Sequence, residues 1–217
     1  METQMQFQKN ARVVVADGQQ VGSIDRVVLN PETKVVTHIV VHKDTLLKRE
    51  EKVIPIGLVE ETSADQIVLR EEAGDLASLP PFEERHLVDT EAGVKRPHPS
   101  INSQPSVAGY PGISVSIGPE PDKFNTLIEQ NIPSGTVALK AGAKVITVDG
   151  KHIGQVERVL AEPPYDHATH LLVSSGMFTK EAKLIPISWV QMIFENEVHL
   201  RIKGNSLKGL ADVSIDG

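Results

Sequence analysis

The chain has 217 residues with 40% hydrophobic content, enough for one large or two small domains. Its net charge of -7, from 22 basic and 29 acidic side chains, leaves no surplus of cations for phosphates, and the lack of cysteine excludes disulfide scaffolds, thiolate zinc sites and cysteine nucleophiles. The start, METQMQFQKN, has no apolar core for a signal peptide and no stretch approaches about eighteen apolar residues, so the expectation is a soluble cytoplasmic protein with no transmembrane segment and no broad nucleic-acid binding.

In chain order, RVVVADGQQVGSIDRVVL (12–29) reads as two β-branched runs joined through Asp17-Gly18, a dipeptide that tolerates the positive φ of a hairpin turn. Gly22 lies just inside the returning strand, where a missing side chain permits a bulge or a close backbone approach. A turn at Asn30-Pro31 leads to a third strand, VVTHIVV, then a loop, then KVIPI and QIVLR, which makes five short strands. Pro55 lies in the fourth and is confined to an edge or a strand end because it lacks an N–H. Residues 91–121 hold six Pro, four Gly and five Ser, a linker composition that buries too little to offset its backbone entropy. After it, PSGTVALKAG (133–142) alternates Val137 and Leu139 before a glycine turn and is expected to enter a second block.

That block repeats the first. Residues 11–43 moved by 132 positions onto 143–175 give eleven identities, where chance gives roughly two. The matches are Ala11, Val13, Asp17, Gly18, Gly22, Arg26, Val27, Pro31, Thr37, His38 and Val41. At an offset of 131, KVIPIGLV (52–59) falls on KLIPISWV (183–190) and IVLR on VHLR. Residues 1–70, 71–133 and 134–217 carry net charges of -1, -6 and 0, so two nearly neutral blocks flank an acidic middle. The predicted organisation is all-β: a repeat over 1–90, a linker over 91–131, and a second repeat with a C-terminal tail over 132–217, each a small antiparallel barrel. The expected cores are Val13, Val15, Ile24, Val27, Ile39, Val41, Ile54 and Leu69, then Val145, Val156, Val159, Leu171, Val173, Ile185 and Leu200.

The pattern DGxxVGxIDRVVL, VTHIVV, KVIPIxxV, repeated as DGxxIGxVERVL, ATHLLV, KLIPIxxV, resembles the PRC-barrel family, named for the photosynthetic reaction centre H subunit and shared with RimM-type ribosome maturation factors. The resemblance covers about two thirds of the chain and implies a β-barrel used as an assembly or docking module. Neither the reaction-centre transmembrane anchor nor an RNA-factor domain ahead of the first block is expected from the sequence. The expected function is a non-enzymatic adaptor that binds a protein partner or itself, with a ribosome-maturation-like factor docking on a ribosomal protein as the alternative.

Eight histidines raise the question of a metal. His38 and His42 share strand parity but lie roughly 13 Å apart at 3.3 Å per residue, too far for one ion, and His167 and His170 have opposite parity. Neither a metal nor a cofactor is expected. The repeated Thr37-His38 and Thr169-His170 fit either a polar contact with a partner or a ring bonded to a neighbouring strand. Leu46 and Leu47, and Met177 and Phe178, form apolar pairs in polar loops, placed either to meet a partner or to plug one barrel end. Trp189, the only tryptophan, fits an interface anchor or a packing contact between the barrels. No nucleophile elbow, phosphate loop, dinucleotide fingerprint or carboxylate pair is present, and Asp17 and Asp149 are assigned to turn formation.

Overall fold

The computed structural model describes residues 4–44, 49–73, 78–89, 124–163, 166–175 and 181–214. The protein is all-β, with short 3-10 turns and no α-helix among these residues. The first sheet contains β2 (Arg12–Val14), β3 (Gln20–Leu29), β4 (Val36–Asp44), β5 (Arg49–Pro55), β6 (Val59–Thr62) and β7 (Gln66–Leu69), in the order β5-β4-β3-β2-β7-β6. The second contains β11 (Lys144–Ile146), β12 (His152–Glu162), β13 (His167–Ser174), β14 (Glu181–Pro186), β15 (Val190–Ile193), β16 (Glu197–Leu200) and β17 (Asp212–Ser214). Its order, β15-β16-β11-β12-β13-β14, matches the first strand for strand, with β17 added beside β14. Each sheet contains one parallel pair, β2 with β7 and β11 with β16.

The turns follow from the sequence. Gly18 and Gly150 sit at φ 86° and 76°, and the Asp17 carboxylate accepts the Gln19 amide at 2.8 Å. Pro55 and Pro186 end β5 and β14 and open the 3-10 turns Ile56–Leu58 and Ile187–Trp189. The strand after each turn, β6 and β15, is one that the sequence reading passes over. Gly154, at φ 153°, approaches the next strand so closely that a Cβ there would stand 2.0 Å from the Ser174 carbonyl oxygen. Only glycine fits that bulged crossing.

Two short strands are exchanged between the sheets. β1 (Met5–Gln8) pairs antiparallel with β12, setting Phe7 opposite Val159, while β10 (Val137–Lys140) pairs antiparallel with β3, setting Leu139 opposite Val27. Each residue and its counterpart lie 132 positions apart. The crossing takes three residues. The Lys9 amide still donates to Glu157 of the second sheet, and Ala11 already accepts from Ile24 of the first, with Asn10 between them at φ 60°. Ala141 donates to Asp25 and Ala143 accepts from Val156 in the same way, around Gly142 at φ 84°. Asparagine and glycine are the residues that accept this left-handed backbone most readily. The β3–β4 and β12–β13 turns also meet reciprocally: Val36 donates to the Asp166 carbonyl and Ala168 to the Lys34 carbonyl, both at 2.9 Å.

The segment around Val137 and Leu139 is therefore a strand, as its alternation predicts, but it joins the first sheet rather than the second. Both strands alternate an inward apolar residue with an outward one, and the complementary row each needs is the same Val27/Val159 pattern in either sheet. The expected core residues are buried apart from Val15, which is partly buried, and together with Phe7 and Leu139 they form one continuous cluster rather than two.

The chain divides into one unit of Met1–Phe82 with Gln130–Gly217 and a second of Glu83–Glu129. The second holds β8 (Glu83–Asp89) and β9 (Phe124–Gln130), paired as a two-stranded sheet. Residues 83–89 thus leave the first block and 124–130 leave the linker, because the Pro/Gly/Ser bias that marks the linker stops at residue 121 and FNTLIEQ after it is a strand-forming run.

Candidate functional site

His38 and His170 occupy equivalent places on β4 and β13, opposite Pro55 and Pro186. The Nδ1 atoms of both are buried without a hydrogen-bond partner among the described residues, and neither ring lies with other ligands in a metal-binding group. Thr37 and Thr169 turn their hydroxyls to the Val28 and Leu160 carbonyls, each at 3.4 Å. Burial holds the His38 pKa below its ordinary value, and His42 is lowered as well, first by burial and then by Arg49 and Arg26, against the opposing pull of Asp44 and Glu51. Both rings are neutral in the folded state near neutral pH. As pH falls below about 6.5 the unfolded chain takes up these protons first, so stability is full above that value and is lost as pH drops through the lower folded pKa. The thermal midpoint is expected to fall from pH 7.5 to 5.5, and to fall less in His38→Asn; an equal fall in the variant would remove His38 as a source.

Trp189 ends the 3-10 turn before β15, is partly buried against the core, and accepts the Arg201 amide through its carbonyl at 2.9 Å. It is a packing residue at the base of that strand. Leu46, Leu47, Met177 and Phe178 lie outside the described residues. Asp149 remains a turn residue: the Thr147 hydroxyl at 2.6 Å, followed by the Gly204 amide at 3.0 Å, holds its carboxyl down to about 2.

The structure brings together a different set. Six large hydrophobic side chains are exposed among the described residues: Leu127 and Ile128 on β9, Val213 on β17, and Val148, Met192 and Phe194 at 58, 45 and 50% exposure. The last three lie on, or just past the ends of, β11 and β15, on the outward side they share with β16. Pairing register sets Lys144 beside Glu197 and Ile146 beside His199 across β11–β16, and His199 beside Met192 across β16–β15. Phe194 donates its amide to the Glu197 carbonyl at 2.8 Å and stands edge-on to the His199 ring, with centroids 5.6 Å apart. Val148 donates its amide to Ile202, placing it next to Arg201. Strand alternation turns Lys144, Ile146 and Val148, then Glu197, His199 and Arg201, then Met192 and Phe194, to the same side. The result is an apolar and aromatic field around His199.

The first sheet carries the same lattice with other side chains. Glu61 stands for Met192, Ser63 for Phe194, Val68 for His199 and Ala16 for Val148. An apolar residue has replaced a polar one at the two outward positions of a terminal strand. The signal was available in the sequence, by setting QMIFENEVHL against EETSADQIVL at the 131 offset and keeping outward positions only, but the sequence reading weighed loops and the lone tryptophan instead.

Three hollows bear on chemistry, one of them about 640 Å³ and lined by Met5, Glu60, Glu61, Arg70, Pro163 and Asp166. Where the sheets meet, around Phe7, Val27, Leu139 and Val159, the space is about 10 Å³, room for one water. A hollow of about 390 Å³ at the end of the second sheet is lined by Ile153, Val173, Ile185 and Leu207, and its charged groups Lys183 and Asp212 pair with each other at 2.7 Å. No helix of the described residues is long and apolar enough to cross a membrane. No curated protein matches the chain. Residues 141–206, the stretch that folds into β11 through β16, match the family model of the PRC-barrel domain.

Proposed function

We propose that the protein is a non-enzymatic cytoplasmic docking module of two PRC-like barrels, one built on each sheet and completed by the strand exchanged from the other, which binds another protein through the outward face of β11, β16 and β15. The observation that carries this reading is the placement of Met192 on a terminal strand and of Phe194 just past its end, where the counterpart shows Glu61 and Ser63. Single exposed hydrophobics need no explanation, but a contiguous field of them on one of two matching faces costs solubility and is retained where a partner covers it. Edge strands are otherwise blunted with charge, as Glu60 and Glu61 do on β6. The mutual neutralisation of Lys183 and Asp212 in the hollow at the end of the second sheet supports a binding role over a catalytic one there.

The test is affinity capture from the native cell with three forms of the full chain: unchanged, Met192→Glu with Phe194→Ser, and Met177→Ser with Phe178→Ser. The first double change copies the residues of the other sheet at exposed sites, so its stability is expected to stay within about 0.5 kcal/mol of the parent. Recovery of the partner should fall about tenfold or more in that variant and persist in the loop variant. Unchanged recovery in the Met192/Phe194 variant would overturn the assignment of the face, and co-sedimentation of the captured complex with a ribosomal subunit would favour the accessory-factor reading.

A further inference from the structure

The hollow of about 390 Å³ lies at the end of the second sheet, where the inward row of side chains runs out. Val173 on β13 and Ile185 on β14 belong to that buried row, Ile153 stands near the start of β12, and Leu207 joins them from the 3-10 turn Gly204–Gly209. Interior side chains pack at nearly crystal density, so an aliphatic space of this size is one that a ligand's own atoms can fill. Its volume falls within the range of about 300–1,000 Å³ that small-molecule sites span. No aromatic ring lines it among the described residues, so a flat aromatic ligand finds no stacking partner, whereas a flexible aliphatic chain meets surfaces of its own kind.

Among the described residues the charged groups along the hollow are Lys183 and Asp212. Lys183 stands opposite Val173 in the β13–β14 ladder and shares the inward parity of Ile185. Its methylene stem therefore runs along the wall while its ammonium donates to the Leu210 carbonyl at 3.2 Å and to the Asp212 carboxylate at 2.7 Å. The first sheet repeats the lysine but not the acid: Lys52, opposite Val41, donates to the Leu79 carbonyl at 2.7 Å, and Pro81 stands where the second sheet has Asp212. The acid thus belongs to this one end of the molecule, where it neutralises the lysine. An anion or a cation entering the hollow has to compete for one member of the pair. A neutral oxygen does not, because an ammonium carries three donors and these two contacts use two of them.

We propose that this hollow is a second binding site, separate from the docking face, for a small uncharged aliphatic molecule that ends in a single hydroxyl. Its chain lies against Ile153, Val173, Ile185 and Leu207, and its oxygen accepts a hydrogen bond from the Lys183 ammonium. Affinity comes from the apolar area the chain buries, and selectivity against charged relatives of the same length comes from the Lys183–Asp212 pair.

The probes are octan-1-ol, hexan-1-ol, octanoate and octylamine, each titrated by calorimetry against the full chain. Octanol is expected to bind saturably and about tenfold more tightly than hexanol, since each buried methylene is worth roughly a factor of three to four. Octanoate and octylamine should bind about fivefold more weakly than octanol. Asp212→Asn, at an exposed site, releases Lys183 and should raise the affinity for octanoate about tenfold while octanol stays within about twofold. Ile153→Trp narrows the hollow at a partly buried position and should weaken octanol about tenfold and hexanol less, with the thermal midpoint reporting that the fold is kept. Val21→Trp, at the matching partly buried position of the first sheet, should leave octanol binding unchanged. If either tryptophan variant fails to fold, the octanoate response to Asp212→Asn decides alone. Absence of saturable octanol binding, equal effects of the two tryptophan substitutions, or octanoate binding indifferent to Asp212→Asn would each overturn the proposal. So would loss of octanol binding with Met192→Glu and Phe194→Ser, which would place the alcohol on the docking face. Binding that emerges only with Met177→Ser and Phe178→Ser would show the chain's own loop competing for the hollow, and would overturn it as well.

Discussion

Phe7→Ala is expected to destabilise the protein by about 3–5 kcal/mol, and the loss should be read in the half of the molecule most distant from it in sequence. Phe7 is 2% exposed, pairs with Val159 of β12, and joins the one continuous cluster that contains the cores of both sheets. Removing its ring leaves a cavity bounded by residues that are themselves pinned in β-ladders and cannot collapse to fill it. Trp189 follows the event, because the only tryptophan lies on the second sheet while Phe7 precedes the first. Leu139→Ala is the mirror experiment, at the matching position on β10, and should cost about 2–5 kcal/mol. Urea unfolding followed by Trp189 fluorescence and by far-ultraviolet circular dichroism should give one coincident transition that moves to lower denaturant in both variants. A Trp189 transition left in place by Phe7→Ala would mean that the sheets unfold independently, and that the exchanged strands are peripheral to stability.

Most of each sheet was legible because its signals are local. Asp17-Gly18 and Asp149-Gly150 fix the first hairpins, and the Ile24/Val27 and Ile39/Val41 rows reveal which side is inward. Pro55 and Pro186 mark where the fourth strand must stop. The exchange was not legible, since alternation shows that Met5–Gln8 and Val137–Lys140 are strands but not which of two near-identical edges each will choose. That choice is made by the crossings at Asn10 and Gly142, whose left-handed backbone sends the chain from one sheet to the other. The candidate face was missed for a related reason. An exposed Met or Phe in a strand resembles core until the parity of its neighbours is known, and the bulge between Val190 and Met192 resets that parity on β15. The repeated Thr-His pair drew attention because it is identical in both blocks, whereas the docking face stands out only where the blocks differ.

Arg26→Ala is expected to cost about 3–5 kcal/mol, far more than removing the more exposed charges around it. Arg26 is 7% exposed on β3, in contact with the Asp25 carboxylate, 3.6 Å from Glu51 and 3.3 Å from Glu195, with its guanidinium 4.7 Å from the centre of the buried Phe82 ring. Arg49 closes the network from β5, donating to Asp25 at 2.7 Å and to Glu51 at 2.9 Å. Loss of the central cation leaves the Asp25 and Glu51 carboxylates facing one another in a poorly hydrated place with only the half-exposed Arg49 between them. Glu195→Gln, by contrast, removes a partner that is 37% exposed, and should cost under about 1 kcal/mol. The equivalent Arg158 donates to the side-chain carbonyl oxygens of Gln6 and Gln8 on the exchanged β1. Chemical denaturation of Arg26→Ala, Glu195→Gln and the double variant forms a cycle whose coupling should stay below about 1 kcal/mol, showing that Arg26 acts mainly through Asp25 and Glu51. If Glu195→Gln alone cost as much as Arg26→Ala, the stabilising contact would be the bridge from β3 to the end of β15, and the buried pair on the first sheet would be incidental.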